Sequence, residues 1–104
     1  MKDLELKDPN IFEMVMAEQD RQIAKWGIQD RHPFEWLAYA TEEHGELAQA
    51  ISDFVYNRGL QSAVVKEAIQ AATLHLKIAE MFLNFEYPYK KKLEPIPPTR
   101  TSGV

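Results

Sequence analysis

The chain contains no cysteine, and this and its other absences each exclude a class of protein. Without thiols there are no disulfides and no thiolate metal sites, so a bound metal needs carboxylate, amide or imidazole ligands. No apolar run reaches the roughly 18 residues of a membrane span, and the N-terminal segment does not have the pattern of a signal peptide. We therefore expect a cytoplasmic protein with no membrane partner. The net charge of −4 argues against binding polymeric nucleic acid, which requires a basic surface.

The remaining composition is that of one small folded domain. The chain has 104 residues, of which 45% are hydrophobic and 27% are charged, as is typical of globular proteins. We assign residues 1–88 to one all-α domain. Residues 89–104 form a tail rich in lysine and proline, which we expect to be extended or disordered because proline cannot continue a helix.

Residues that start and stop helices predict three helices, over 9–26, 33–57 and 62–85. Asp8 is an N-cap acid followed by proline at the first helical position, and a glycine ends this helix. Proline also opens the second helix, and Ser62 is a good N-cap for the third. The expected fold class is an all-α bundle of three to four helices per chain.

The second and third helices carry a large amount of apolar surface. On the second, residues spaced three and four apart predict a core seam of Leu37, Ala40, His44, Leu47, Ile51 and Phe54. On the third, apolar residues cover more than half of the circumference: Val64, Ala68, Ala71, Ala72, Leu74, Ile78, Ala79 and Phe82. Such a helix needs partners on two sides, and in so short a chain we expect one of them to be another subunit. The predicted assembly is a homodimer or homotetramer that completes the bundle.

Several polar side chains lie within these apolar faces. The face of the first helix is formed by Ile11, Phe12, Val15, Ile23 and Trp26. Gln19 and Gln22 lie in the middle of it, so they need buried hydrogen-bonding partners or a polar cavity. His44 and His75 are interpreted as hydrogen-bonded core histidines rather than as metal ligands.

Glu43 and Glu46 are the strongest candidates for a binding site. Three residues apart on one helix, they present two carboxylates to the same point, where like charges repel unless a cation lies between them. Glu67, with Gln70 one turn later, joins them if the second and third helices pack antiparallel in a suitable register. Hard divalent cations prefer such oxygen ligands. Taken alone, however, glutamates at this spacing are more often part of an ordinary solvated helix surface.

A family resemblance over about residues 15–85 favours the interpretation of these glutamates as a binding site rather than as a solvated helix surface. The segment 18–27, which ends in Lys25-Trp26-Gly27, is followed by Trp36-Leu37 and by Thr41-Glu42-Glu43-His44-Gly45-Glu46. This arrangement resembles the MazG-like branch of the all-α nucleoside triphosphate pyrophosphohydrolases. That superfamily is marked by Glu-x-x-Glu on one helix and Glu-x-x-Asp on the next. Here Glu43-x-x-Glu46 and Glu67-x-x-Gln70 are separated by 20 residues.

The resemblance implies hydrolysis of a nucleoside or deoxynucleoside triphosphate between its α and β phosphorus atoms, with a nucleotide as the substrate partner. Glu43, Glu46 and Glu67 would bind Mg²⁺, for which Mn²⁺ could substitute. Gln70 stands where the family has Asp, which implies a weaker or water-mediated ligand. Glu42 and Glu43 are assigned to catalysis; Glu42 points about 100° away from Glu43 on the helix, so it would either support the metal ligands from behind or activate water.

Within the activity that the resemblance implies, five residues are candidates for contacting the substrate. Gln19 and Gln22 would read the edge of the base, and Lys25 would contact phosphate. Trp26 would stack on the base, although completing the apolar face of its helix is the more common role. Asp53 would reach an outer metal or the sugar.

Two other interpretations remain open. Because Gln70 adds no negative charge, the chain is also consistent with a degenerate relative that binds nucleotide or metal without turnover. The apolar third helix is also consistent with a structural helical oligomerisation module that has no metal site.

Overall fold

A computed structural model describes residues 4–85 of the chain. Within them lie three helices and no strand: α1 (Pro9–Trp26), α2 (Pro33–Tyr56) and α3 (Gln61–Asn84). The predicted all-α class is therefore confirmed for this part of the chain, with helix bounds within one residue of those predicted. The predicted tail, 89–104, lies outside the described residues. None of the three helices is long and apolar enough to cross a membrane.

The two ends of α1 follow the expected capping pattern. The side chain of Asp8 accepts a hydrogen bond of 3.0 Å from the backbone N–H of Asn10, and proline occupies the first turn. At the other end Gly27 adopts a φ of 76°, in the left-handed region that favours glycine, and its N–H donates to the carbonyl of Ile23 at 2.7 Å.

The start of α2 has a reciprocal cap that the sequence pattern did not indicate. The ring of His32 accepts from the N–H of Phe34 at 3.1 Å, and the carboxylate of Glu35 accepts from the N–H of His32 at 3.3 Å. This is a capping box with histidine in the position usually held by serine or threonine. It satisfies two backbone donors that would otherwise lack a partner.

The turn between α2 and α3 requires glycine at position 59. A Cβ atom there would lie 2.8 Å from the backbone carbon of Asp53, closer than real Cβ contacts. The N–H of Gly59 instead donates to the carbonyl of Asp53 at 2.8 Å, while Arg58 has a φ of 61°. The predicted N-cap at Ser62 is wrong: Leu60 is the N-cap, and its carbonyl closes the first turn to Ala63 at 3.1 Å. Because the turn at Gly59 is short, α3 already begins at Gln61, and Ser62 lies inside the helix.

The central helix of the described region is α3, which contacts both α1 and α2. Among residues 4–85, the backbones of α1 and α2 do not approach each other, so a groove remains between these helices. The wide apolar arc of α3 is thus partly explained within one chain, because α1 covers the side that we had assigned to a second subunit. The subunit contact itself stays a prediction.

The core of the described region is small and lies between α2 and α3. Trp36, Ala40 and Leu74 are buried together, and Ile78 and Met81 pack against them. The predicted seam of α2 is wrong in its rotation: Ala40 is buried, but Leu37 is 47% exposed and Ile51 is 46% exposed. The helix instead turns the stripe containing Trp36, Ala40, Glu43, Leu47 and Ala50 toward α3.

Candidate metal centre and adjoining groove

Three carboxylates from two helices converge where α2 and α3 face each other. Glu43 and Glu46 come from successive turns of α2, and Glu67 comes from the second turn of α3. One oxygen from each side chain lies within 4.8 Å of one from each of the others. We call these three residues the carboxylate cluster. The antiparallel register required by the sequence prediction is therefore the one adopted.

Gln70 lies beside the carboxylate cluster, one turn after Glu67. With its amide oriented to suit both neighbours, Nε2 donates to Glu67 Oε2 at 3.0 Å and to Glu43 Oε2 at 3.1 Å. A neutral donor therefore bridges two acidic side chains in the position where the resembled family has a fourth carboxylate. The same side chain also carries a carbonyl oxygen, which is a ligand type that hard cations accept.

The pKa of Glu43 is raised by burial and by electrostatic repulsion within the carboxylate cluster. Burial raises the pKa of Glu43, and the negative charges of Glu46 and Glu67, together with hydrogen bonding among the three, raise it further, to about 7. No lysine or arginine within residues 4–85 forms an ion pair with any of these carboxylates. At neutral pH the carboxylate cluster thus holds excess negative charge that a proton or a cation can neutralise.

The donor set of the carboxylate cluster fits a hard divalent cation. Three carboxylates and one amide are all oxygen-bearing groups, the chemistry that Mg²⁺ and Mn²⁺ prefer. Glu43 and Glu67 are half-buried and Glu46 is exposed, so the site is held by two packed helices while one side remains open to solvent. An open side is needed if a substrate oxygen is to complete the coordination of the metal.

The carboxylate cluster lies between two cavities. The larger, of about 1300 Å³, is the groove between α1 and α2, lined among others by Arg21 and Gln22 of α1, Tyr39 and Glu43 of α2, and Leu74 and Lys77 of α3. We call it the α1–α2 groove. The smaller, of about 330 Å³, includes Glu46 and Glu67 in its wall. A molecule in either cavity could therefore reach the carboxylate cluster.

The predicted substrate and catalytic residues divide between these cavities. Gln19, Gln22, Trp26 and Glu42 line the α1–α2 groove, whereas Asp53 lines the smaller cavity, where it accepts from Gln49 at 2.9 Å. Lys25 lines neither and places its Nζ 4.6 Å from the ring centre of Trp26. Trp26 is 53% exposed, so it does not complete a buried face within the chain. It remains free to contact a base.

No protein-family model, curated protein or solved structure matches this chain. The resemblance to the pyrophosphohydrolases therefore stays a prediction, and the site has to be judged by its own geometry and charge.

A second group of polar residues was only partly anticipated. Glu18 is buried and accepts from Arg21 Nε at 2.8 Å, from Arg21 Nη2 at 2.7 Å and from Gln22 Nε2 at 2.7 Å. Lys77 of α3 donates to Gln22 Oε1 at 2.5 Å. We call these four residues the Glu18 network. The prediction that Gln22 has buried partners is confirmed, and both ends of its amide are engaged, which leaves it less suited to reading a base.

The missed members of the Glu18 network carried weak signals in the sequence. Glu18, Arg21 and Gln22 are spaced three and four apart, the spacing of neighbours on one helix face. Lys77 lies just outside the apolar arc of α3, three residues after Leu74, so the helical pattern marked it only as a residue bordering that arc. The pairing of Lys77 with Gln22, 55 residues away, is set by the packing of α1 on α3.

His44 of α2 and His75 of α3 contact each other. Their Nε2 atoms lie 3.3 Å apart, and Nδ1 of His75 lies 2.8 Å from the carbonyl of Ala71. They are hydrogen-bonded as predicted, but both are exposed in the single chain, so the prediction of core histidines is wrong in that respect. For His44 the reason is the rotation of α2 that also exposes Leu37.

Proposed function

We propose that this chain is a divalent-metal-dependent nucleoside triphosphate pyrophosphohydrolase that acts in the cytoplasm. The observation that carries the proposal is the convergence of Glu43, Glu46 and Glu67 within 4.8 Å, at the edge of a groove large enough for a nucleotide. Three carboxylates would repel a polyphosphate, so a cation must reverse the local charge before such a substrate can bind.

Each residue of the candidate site is assigned one part of the proposed reaction. Glu43, Glu46 and Glu67 would hold Mg²⁺ or Mn²⁺, with Gln70 turning its carbonyl oxygen toward the ion. When bound, such an ion neutralises phosphate oxygens and increases the acidity of a nearby water. Water attacks the α phosphorus, the bond from that phosphorus to the oxygen bridging the β phosphorus breaks, and pyrophosphate leaves. Glu42 lines the α1–α2 groove beside Glu43 and is assigned to accept the proton of the attacking water.

Two measurements test this function in sequence. Mn²⁺ binding is measured first by calorimetry, and we expect one or two sites that are lost in Glu43→Gln. The protein is then incubated with Mg²⁺ and a panel of nucleoside and deoxynucleoside triphosphates, and pyrophosphate release is expected from at least one. In Glu42→Gln, Mn²⁺ binding should be retained while turnover falls. Release of orthophosphate alone, or of nothing, would contradict the proposal.

A second candidate is a protein that binds metal or nucleotide without turnover. It is favoured by Gln70, which donates to two carboxylates and contributes no negative charge. Calorimetry that detects metal-dependent nucleotide binding, with no product formed from any triphosphate, would support this function over the first. Restoration of turnover by Gln70→Asp would identify the missing charge as the reason.

We further propose that the protein is a homodimer or homotetramer. Support comes from the exposed apolar side of α2, which includes Leu37, Ile51 and Val55 and has no covering element among residues 4–85. Monomeric soluble proteins rarely leave a contiguous stripe of this kind uncovered. Light scattering at micromolar concentration should give at least twice the 12.0 kDa chain mass, and a monomeric mass would contradict this.

A third candidate is a purely structural oligomerisation module. It differs from the first two in how its assembly and its melting temperature respond to metal. Such a module would assemble equally well with or without metal. It would also show no increase in melting temperature with Mg²⁺, whereas a ligand that binds the folded state stabilises it by mass action.

A further inference from the structure

Arg21 is a cation on the wall of the α1–α2 groove that has no role in the function described so far. Its guanidinium lines the groove into which Glu43 also opens, and its side chain is 48% exposed. Hydrogen bonding to Glu18, and the negative charges of Glu18 and Glu43, raise the pKa of Arg21. Arg21 of α1 and Glu43 of α2 therefore face the same groove, and the charge of Glu43 acts on Arg21 across it.

The contacts of Arg21 leave part of its guanidinium uncommitted. Nε and Nη2 donate to the two oxygens of Glu18, whereas Nη1 makes no hydrogen bond to any of residues 4–85. Glu18 is itself buried and anchored by Gln22 at 2.7 Å, so it holds one edge of the guanidinium in place. A planar guanidinium held along one edge presents its remaining donors in a fixed direction, which suits the recognition of phosphate.

The other basic groups of the groove are less suited to this role. Lys77 is engaged by Gln22 and lies 5.3 Å from the ring centre of Trp36. Arg31 donates to Gln29 and Glu35, and its guanidinium carbon lies 5.2 Å from the ring centre of Tyr39. The negative charge of Glu43 contributes to the raised pKa of Arg21, whereas the pKa of Lys77 is lowered by burial and influenced by Glu18.

We propose that Arg21 binds a phosphate oxygen of the substrate from the side of the α1–α2 groove opposite the carboxylate cluster. This inference rests on the proposed function. A polyphosphate would then be held on one side by metal bound to the glutamates of α2 and α3, and on the other by a guanidinium of α1. Glu18 is a positioning residue in this arrangement, because it touches Arg21 and not the substrate.

The test uses inorganic triphosphate, which carries the phosphate chain without a base. Its affinity in the presence of Mg²⁺ is measured by calorimetry for the wild type, Arg21→Gln, Arg21→Lys and the control Arg31→Gln. The control removes an arginine from the same groove that also pairs with a glutamate. Mn²⁺ binding without phosphate is measured for each variant, and thermal unfolding verifies that each is folded.

We expect Arg21→Gln to weaken triphosphate binding on the order of 10- to 100-fold, the loss typical of a charge-assisted hydrogen bond. Arg21→Lys should fall between it and the wild type, because lysine keeps the charge but not the planar fork. If Arg21→Gln does not fold, Arg21→Lys decides the question, with a loss of at least about threefold expected. Arg31→Gln should change affinity by less than about twofold, and Mn²⁺ binding should stay the same throughout.

Equal losses in Arg21→Gln and Arg31→Gln would overturn the proposal, since they would indicate a general effect of charge. So would unchanged affinity in the folded Arg21 variants. A wild type that binds Mn²⁺ but not triphosphate would overturn the role of Arg21 while leaving the metal centre in place. A wild type that binds neither would refute the proposed function itself and this inference with it.

Discussion

The carboxylate cluster and the Glu18 network are built from the same residue types and have opposite charge balance. Each combines glutamate with a glutamine that donates to it. In the Glu18 network, Arg21 and Lys77 supply positive charge. In the carboxylate cluster, three acids meet with no cation among the described residues. Within residues 4–85 the charge of Glu18 is balanced, whereas the carboxylate cluster keeps an excess of negative charge.

The pKa values of the two central glutamates follow this difference. Burial alone would raise the pKa of Glu18, but hydrogen bonds from Arg21 and Gln22, with the charges of Arg21 and Lys77, outweigh it and lower the pKa. Burial raises the pKa of Glu43 as well, and there the neighbouring charges act in the same direction. Partial burial is therefore common to both sites, and the sign of the surrounding charge decides whether the carboxylate is stable as an anion.

The largest expected effect is that of Glu43→Gln on metal binding by the carboxylate cluster. Glu43→Gln removes one ligand and one of three repelling charges. Mn²⁺ affinity, measured by calorimetry at pH 7.5, should fall on the order of 100-fold or more because ligand charge sets affinity for hard cations. Without metal, the variant should melt at a higher temperature than the wild type. Glu42→Gln is the matched control and should change neither quantity, so a similar loss of metal affinity there would contradict the assignment.

The next effect tests whether the Glu18 network is structural. Glu18→Gln leaves Arg21 and the partly buried Lys77 without their carboxylate, and we expect a loss of about 2 kcal/mol in the free energy of unfolding. Urea denaturation measures it. Glu35→Gln is the control, since the 3.3 Å pair between Arg31 and Glu35 is more exposed. The control should lose about 0.5 kcal/mol or less. Equal losses would mean that burial of Glu18 adds nothing.

Gln70→Asp adds negative charge to the carboxylate cluster and so increases its difference in charge balance from the Glu18 network. It replaces a bridging donor by a fourth carboxylate, so the metal-free protein should lose about 1 kcal/mol of stability through repulsion and a lost hydrogen bond. Metal affinity should rise roughly tenfold because of the added ligand charge. Gln70→Ala also removes the donor but adds no charge, so it should destabilise the metal-free protein without raising affinity. If Gln70→Asp leaves metal affinity unchanged, Gln70 lies outside the metal site.

The smallest expected effect is on the pH dependence of stability. The folded-state pKa of Glu43 is raised to about 7 from an ordinary value of 4.5. The stabilisation from its protonation is therefore fully present below about pH 4.5 and is lost as the pH rises through 7. Metal-free protein should melt a few degrees lower at pH 8 than at pH 5, and Glu43→Gln should reduce this difference.

Glu18 has the opposite dependence, which provides an internal check on the same melting curves. Its pKa is lowered, so the stabilisation it provides is present above its ordinary pKa of 4.5 and is lost only as the pH falls below that value. Glu18→Gln should therefore change the melting temperature at pH 5 and pH 8 by similar amounts. A variant effect confined to pH 8 would contradict this interpretation.

The helices and the candidate ligands could be predicted because both depend on local rules. An N-cap acid before proline and a glycine after Trp26 bound α1 whatever it packs against. The shared face of Glu43 and Glu46 follows from the helical repeat alone. The buried partners of Gln22 were predicted in kind, because an amide in an apolar face requires them.

Tertiary packing decided the features that depend on how helices are rotated and aligned against each other. It brought Glu67 to Glu43 and Glu46, paired Lys77 with Gln22, and turned Leu37 and Ile51 outward although their spacing suited a core. Rotation and register are set by side-chain packing between distant segments and by the tight turn at Gly59. Helical periodicity in the sequence therefore specifies which residues share a face, and only the packed structure determines what that face meets.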